Sequence, residues 1–336
     1  MLTWDGTSAG GTMGNYLPRA AVFTLAVFGF FAAFIFAEAH AGARATKLNE
    51  ATVGLLAADA SWLPQATDIG LALQHHEGLR VLPMVGQGTV QAIYDLVHLQ
   101  GVDAAILPLD TLTYAKAQGL LAGLEGKISY VARLQPLRWV LLAKRDVKDI
   151  AALHGKRIAT GPTGSAGFVA GELLFNANDV AFSRLPVQGS AALSALLKGQ
   201  ADGALVSAED AAEINVDGNL FHLIPLNLPD SLAATYSPAI LTHEELPQIL
   251  EVGETVETVA TPMAVMVFNW GKGSGQYRKL ARFSAGLFAD DTGLTLDTNL
   301  AAEIPGWSRH TAANDALAQL SFKNPTQSTD KTGDAP

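Results

Sequence analysis

The chain has 336 residues, 49% of them hydrophobic and 16% charged, with a formal net charge of −10 and no cysteine. That length holds about two domains, and so apolar a composition excludes disorder over most of it. Lys and Arg are scattered singly, which excludes a nucleic-acid face, and the lack of cysteine excludes disulfides, thiolate metal sites and a cysteine nucleophile.

The N-terminus carries a leader pattern. Arg19 precedes an apolar run from Ala20 to Ala37, and the small-residue triplets Ala39-His40-Ala41 and Ala43-Arg44-Ala45 follow. This pattern is that of a secretory signal peptide over residues 1–45, cleaved after Ala41 or Ala45. An uncleaved membrane anchor is the alternative, because the run is long enough to span a bilayer. The stretch before Arg19 is long for a signal, so Met13 is a second candidate start. The leader holds two acids (Asp5, Glu38) and two bases (Arg19, Arg44), so the mature chain keeps the net charge of −10.

After the leader, apolar strands alternate with amphipathic helices. "ATVGLLAA" is a strand, and a helix is expected from Trp62 to His76. "LRVLPMV" is the next strand, followed by the helix "TVQAIYDLVHL". That helix puts Val90, Ile93, Tyr94 and Val97 at i, i+3, i+4 and i+7, the stripe expected to face a core. "DAAIL" is the third strand. "ISYVARL" and "RWVLLAK" are expected as two strands parted by Pro136. Such alternation predicts parallel βαβ units and an α/β fold.

The pattern restarts at "KDIAALHGKRIAT", a short helix and a strand. "GPTGSAGFVAGELLF", "RLPVQ", the helix "SAALSALLKG" and the strand "DGALV" follow. The segment "LQGVDAAILP" is echoed faintly by "LKGQADGALV", as two lobes built alike would produce. "VETVATPMAVMVFNW" is a long β-rich run, the helix "QYRKLARFSAGLF" comes next, and a last helix covers Thr311 to Leu320. A long strand leaving the second lobe, with more helix after it, predicts that the chain returns to the first. The lobes are thus 46–142 plus 258–322 and 143–257, joined by two crossing strands over a cleft. The polar end, 323–336, is expected to be disordered.

The glycine-rich stretch at 161–175 resembles a phosphate loop but fails each known spacing. A Walker loop needs G-x-x-x-x-G-K-[ST], and here Gly161 and Gly167 are one residue too far apart with Phe168 where Lys would stand. G-x-G-x-x-G and G-x-S-x-G fail as well. What remains is a strand entering a glycine turn and then a helix N-terminus, where free N–H groups and the macrodipole suit a small anion. Thr163 and Ser165 add hydroxyls, and a plain N-cap is the competing interpretation. Other polar loops sit at strand ends: "AADASW", "GQGT", "PLDT" and "VSAE". In open α/β sheets ligands bind beyond the carboxyl ends of strands.

Three segments resemble the extracytoplasmic solute-binding receptors of TRAP transporters, TAXI type. They are "VDAAILPLDTLTYA", "PLRWVLLAKRDVKDIAALHGKRIATGPTGSAG" and "ATYSPAIL…VETVATPMAVMVF". The resemblance implies the two-lobed type II periplasmic binding-protein fold, each lobe a mostly parallel sheet flanked by helices, with two hinge strands. It also implies binding loops at Ser61 and Trp62, at Gln87, Gly88 and Thr89, at Asp110, at Thr163, Gly164 and Ser165, and at Ser207. Arg138, beside Pro136 at the first crossing, is a candidate for a bidentate contact to a carboxylate, with an interlobe salt bridge as the alternative. Trp62 and Tyr236 are candidates for stacking on a ligand or for packing.

Other motifs carry little. His75 and His76 are adjacent on a helix, point about 100° apart and cannot share one ion. "NVDGN" at 215–219 lacks the remaining ligands of a calcium loop. The expectation is a monomeric periplasmic receptor, without cofactor or metal, that closes on a small organic anion, a carboxylate or an amino acid, and hands it to TRAP membrane subunits. A dehydratase-like cleft enzyme on the same fold and a membrane-anchored sensor domain are the alternatives.

Overall fold

The computed structural model describes residues 52–74, 79–120, 122–123, 126–213, 216–289, 294 and 300–323. The expected leader, the histidine pair at 75–76 and the tail from residue 324 lie outside them.

Apolar residues on both faces of each strand build the first sheet. β1 (Thr52–Ala57), β2 (Arg80–Val85) and β3 (Ala104–Pro108) are parallel in the order β2-β1-β3. β10 (Thr255–Phe268) lies antiparallel beside β3, and the first part of β4 (Ile128–Lys144) lies antiparallel beside β10. Alternate side chains enter two cores. Val53, Leu55, Ile106 and Val265 face one, while Leu56, Ala105, Leu107 and Met266 face the other. A strand buried on both sides needs an unbroken apolar run, which explains "VGLLA" and "AAIL". α1 (Leu63–Leu73) covers the first face with Ala66, Ile69 and Leu73, and α2 (Thr89–His98) covers the second with Ala92, Ile93 and Leu96.

The buried stripe of α2 lies one residue round from the expected one. It runs Thr89, Ala92, Ile93 and Leu96, with Val90, Tyr94 and Val97 only half-buried. The small Ala92 lets the helix sit close to the sheet. Tyr94 stays at the rim, where its hydroxyl donates to the Leu120 carbonyl at 2.9 Å.

The second half shares β4 and β10. β7 (Gly203–Ser207) is antiparallel to the later part of β4 and parallel to β5 (Arg157–Ala159), which is parallel to β6 (Ser183–Leu185). β8 (Phe221–Ile224) pairs with the end of β4, and β9 (Ser237–Thr242) with the first part of β10. Along β4, Trp139, Leu141 and Ala143 continue one core while Val140 and Leu142 enter a third. The result is an α/β architecture built on one ten-stranded sheet flanked by helices, in which two long strands, β4 and β10, belong to both halves.

Pro136 does not divide β4. The strand runs unbroken for 17 residues. Its pairing with β10 slips between Leu137↔Thr261 and Leu134↔Met263, so Pro136 sits where the ladder is already irregular. A residue without an N–H is tolerated at such a bulge.

α3 (Asp110–Ala117) follows β3, and α4 (Ala166–Ala177), α5 (Gly189–Leu197) and α6 (Ala208–Glu213) belong to the second half. α7 (Gly275–Phe288) and α8 (Thr311–Lys323) complete the chain. α7 packs back on the first sheet, burying Leu280, Phe283 and Leu287 in the same core as Val53 and Leu55. A fully buried Phe contributes ~1.5–3 kcal/mol. Lys279 on α7 ties this return down: its Nζ donates to Asp103 Oδ1 at 2.8 Å, and the Gly54 N–H donates to Oδ2 at 2.9 Å. Both side chains of the ion pair are nearly buried, so the pair fixes where α7 docks.

Among the described residues no helix is long and apolar enough to cross a membrane, and no three His, Cys, Asp or Glu side chains gather to hold a metal ion.

Candidate functional site

Four strand ends meet at one place. β1 stops at Ala57, and the Ala58 N–H still donates to the Ile106 carbonyl at 3.2 Å. Asp59 then caps a tight turn, Ala60–Trp62, by accepting from the Ser61 N–H at 3.0 Å and from Ser61 Oγ at 2.9 Å. A short acid before a turn of helix favours this geometry, and Pro64 in the first turn of α1 reinforces the start. The loop after β2 is laid along the end of β1: Gly86 N–H donates to the Ala57 carbonyl at 2.7 Å and Gly88 N–H to the Ala58 carbonyl at 3.0 Å.

The glycine stretch comes to the same place from the second half. Gly161 and Gly164 both have positive φ, +91° and +84°, and turn the chain sharply into α4. Ser165 caps that helix by accepting from the Phe168 N–H at 3.2 Å. The oxygen of that hydroxyl thereby satisfies a first-turn N–H of the helix. Ser165→Ala is expected to cost roughly 1 kcal/mol of stability, read from denaturant unfolding. The Gly164 carbonyl accepts from the Val90 N–H at 3.1 Å and from Thr89 Oγ1 at 3.3 Å, both at the start of α2. Gln188, entering α5, donates through Nε2 to Asp59 Oδ2 at 3.2 Å. These three bonds join the two halves directly.

Below them lies a cavity of about 250 Å³. Asp59, Ser61 and Trp62 line it from the first half. Ala166, Gly167, Ser207 and Asp210 line it from the second, and Leu137 and Trp139 of β4 form its floor. Ser207 caps α6 by accepting from the Asp210 N–H at 2.9 Å. Trp139 is 3% exposed and its Nε1 has no hydrogen-bond partner. A buried unsatisfied donor costs about 1–3 kcal/mol. No described residue accepts from the N–H groups of Ala166 or Gly167 at the start of α4. A second cavity of about 510 Å³ adjoins through Ala60, Ser61, Trp62, Leu137, Ser207 and Asp210, and adds Asp68, Glu209 and Glu213. No Lys or Arg lines either cavity. Burial pushes the Asp210 carboxyl up, hydrogen bonding from Ser207 opposes this, and the charges of Asp59 and Glu213 push it further up.

The residues singled out in the sequence fall into three groups. Ser61, Trp62 and Ser207 line the cavity. Gly88, Thr89, Gly164 and Ser165 form the contact between the halves and the cap beside it, while Gln87 and Thr163 are exposed on its outer side. Asp110 and Arg138 line neither cavity. Asp110 is 0% exposed, and its Oδ2 accepts from the Tyr236 hydroxyl at 2.8 Å while its N–H donates to Thr261 Oγ1. Burial raises its pKa to about 7, against the lowering effect of the Tyr236 hydrogen bond. Tyr236 is correspondingly pushed well above its usual value, first by burial and then by the Asp110 charge. Arg138 is ion-paired to Glu245, a carboxylate of the protein itself. Its guanidinium thus makes the protein salt bridge named as the alternative, because Glu245 in the turn after β9 comes within reach.

Four lining side chains that carry polar atoms were not singled out: Asp59, Trp139, Gln188 and Asp210. Asp59 was legible, since Asp-Ala-Ser directly after an apolar strand is an Asx-turn signature. Asp210 lies one residue beyond "VSAE". Trp139 reads as core from its strand, and Gln188 carries no local signal.

No family model matches the chain, and no curated protein matches it. Solved structures with a similar chain course include a TctC solute binding protein from Polaromonas, at 14% identity and TM-score 0.45 over 80% of this chain and 88% of that one. The periplasmic binding protein BugD aligns at 14% identity and TM-score 0.45, over 84% and 99% of the two chains. The alkanesulfonate-binding protein SsuA from Xanthomonas axonopodis pv. citri, bound to MOPS, aligns at 17% identity and TM-score 0.42, over 81% and 80%.

Proposed function

We propose that this chain is an extracytoplasmic solute receptor that encloses a small carboxylate-bearing organic molecule between its halves and passes it to the membrane subunits of a TRAP-type transporter. The observation that carries this is the cavity of about 250 Å³ at the strand ends, walled from both halves and floored by a strand common to both. The unpaired N–H groups of Ala166 and Gly167 and the positive end of the α4 macrodipole receive the carboxylate. Segments 46–142 with 258–322 and 143–257 are the two moving bodies, and β4 and β10 are the hinge between them. Delivery to a TRAP-type transporter rests on the sequence resemblance at Asp149–Ser165 and "ATYSPAIL", and export rests on the leader over 1–45.

The test begins with mass spectrometry of solute that copurifies with the protein. Added back to stripped protein, that solute should reduce the radius of gyration in X-ray scattering. It should also raise the melting temperature, since binding the native state alone stabilises it by ~2.7 kcal/mol at a hundred times Kd. Binding with neither change overturns a hinged receptor. Asp59 and Asp210 on opposite walls are also the arrangement an acid–base enzyme would use. Recovery of the solute chemically unchanged after incubation separates receptor from enzyme.

A further inference from the structure

Helix α3 of the first half meets the second half at three places. The Tyr236 hydroxyl donates to Asp110 Oδ2 at 2.8 Å, and Thr235 Oγ1 donates to Thr113 Oγ1 at 3.3 Å. The Tyr114 ring stands edge-on to Phe168 of α4, with centroids 5.6 Å apart. Thr235 and Tyr236 lead into β9, which runs beside β10, and the Asp110 N–H donates to Thr261 Oγ1 of β10 itself. The contact therefore lies against a strand common to both halves. It shares no residue with the bonds made by Gly164 and Gln188. Asp110 and Tyr236 are 0% and 3% exposed. The carboxyl meets hydroxyl groups alone, that of Tyr236 and, at 3.4 Å, that of Thr111. Among the described residues no cation pairs with it. Arg184, which reaches the same interface, is held by Glu172 of α4 and lies 4.2 Å over the Phe168 ring. The charges of Arg184 and Glu172 act on Tyr114. Among the described residues Tyr236 is thus the one titratable group that faces Asp110 from the elements packed around it.

A carboxylate enclosed without a counter-charge is costly, whereas the neutral acid is not. The cost lasts only while the contact is shut. Parting α3 from the segment at Thr235 and Tyr236 admits water, and the carboxyl then ionises as an ordinary aspartate does. We propose that the contact between Asp110 and Tyr236 is a proton-operated latch: the halves close on a neutral Asp110 and separate more readily once it ionises. This rests on the hinged-receptor reading and adds pH to solute as a control of the hinge. Closure takes up a proton wherever the open form has lost it and the closed form keeps it. Burial pushes the closed-form pKa up to about 7 from the ordinary 3.8, to which exposure returns it. The ratio of closed to open protein should therefore fall about tenfold per pH unit between about pH 4 and pH 7, and stay level above that. A receptor built in this way holds solute more tightly in acidic surroundings and gives it up more readily near neutrality.

X-ray scattering of the solute-stripped mature chain over a pH series tests the latch with the proton as its only probe. The native radius of gyration should rise between pH 5.5 and pH 7.5, as the ratio of closed to open protein falls roughly twentyfold. Asp110→Asn has no proton to lose, so its radius should stay nearly level over the same interval and match the compact native value at pH 5.5. Tyr236→Phe removes the donor that favours the ionised acid, so its rise should continue to higher pH than the native one. A merely structural contact would loosen the halves equally at every pH in both variants. A native radius that does not move with pH, or one that moves identically in Asp110→Asn, overturns the latch. Copurified solute added at pH 7.5 judges the underlying reading separately. Compaction by that solute keeps the hinged receptor whatever becomes of the latch, and binding without compaction overturns the receptor and the latch together.

Discussion

Asp110→Asn is expected to abolish a fall in stability of roughly 4 kcal/mol that the native protein undergoes between about pH 4 and pH 7. Asp110 is wholly buried, and burial raises its pKa from 3.8 to about 7. Its folded pKa lies above its unfolded one, so the folded state holds a proton that the unfolded state has released over this interval. Stability therefore decreases as pH rises from about 4 to 7, and is level on either side. A difference of about three pH units at 1.36 kcal/mol each sets the size. Asparagine is close in shape and keeps an oxygen to accept from the Tyr236 hydroxyl, but has no proton to lose. Denaturant unfolding of both proteins over a pH series isolates this group, because the other titrating residues are common to the two curves. Variant and native protein should converge near pH 4, with the variant several kcal/mol more stable near pH 8. Parallel curves would show that Asp110 titrates near the ordinary carboxylate range. The same burial explains why this residue, expected at the ligand, does not line the cavity: it joins α3 to the segment before β9 through Tyr236, as Thr113 and Thr235 do beside it.

Most of the fold could be read from the sequence because strands buried on both faces announce themselves. "GLLA", "AAIL" and "AVMVF" have no other reasonable place than a covered sheet, and the return of "VETVATPMAVMVF" to the first lobe followed from the helix after it. The errors lie where tertiary contacts override local signals. Pro136 reads as a break, yet a register slip against β10 absorbs it. β8 and β9 escaped notice because each is a short edge strand, and Pro238 in β9 disguises it further. At the site, loops at strand ends were legible because topology places them together. Their chemistry was less so. A glycine turn before a helix advertises an anion site, whereas the opposing Asp59 and Asp210 lie 151 positions apart in the chain. Nothing local relates them, and only the fold sets them across one cavity.

The contact above that cavity should be the most sensitive point for closure, and Gly88→Ala is expected to disrupt it. Gly88 has φ +110°, and a Cβ there would lie 2.7 Å from the Gly164 carbonyl oxygen in the opposite half. That oxygen cannot swing aside cheaply, because it accepts from both Val90 N–H and Thr89 Oγ1. A single methyl group should therefore hold the halves apart and forfeit two hydrogen bonds of about 0.5–1.5 kcal/mol each. Solute affinity should fall roughly tenfold to a hundredfold. Gly164→Ala supplies an alanine at positive φ without the clash. Gly164 also has positive φ, +84°, but its added Cβ meets nothing nearer than Val90 Cβ at 3.6 Å, an ordinary contact. Both variants thus put an alanine at positive φ, the more strained at Gly88, whose ψ of 162° takes it into a region open essentially to glycine alone at a cost of about 1–3 kcal/mol, and only one bears the clash. In X-ray scattering with saturating copurified solute, Gly164→Ala should compact as the native protein does and Gly88→Ala should stay expanded. Equal compaction and equal affinity in the two variants would mean that the loops at 86–88 and 161–165 touch without governing closure.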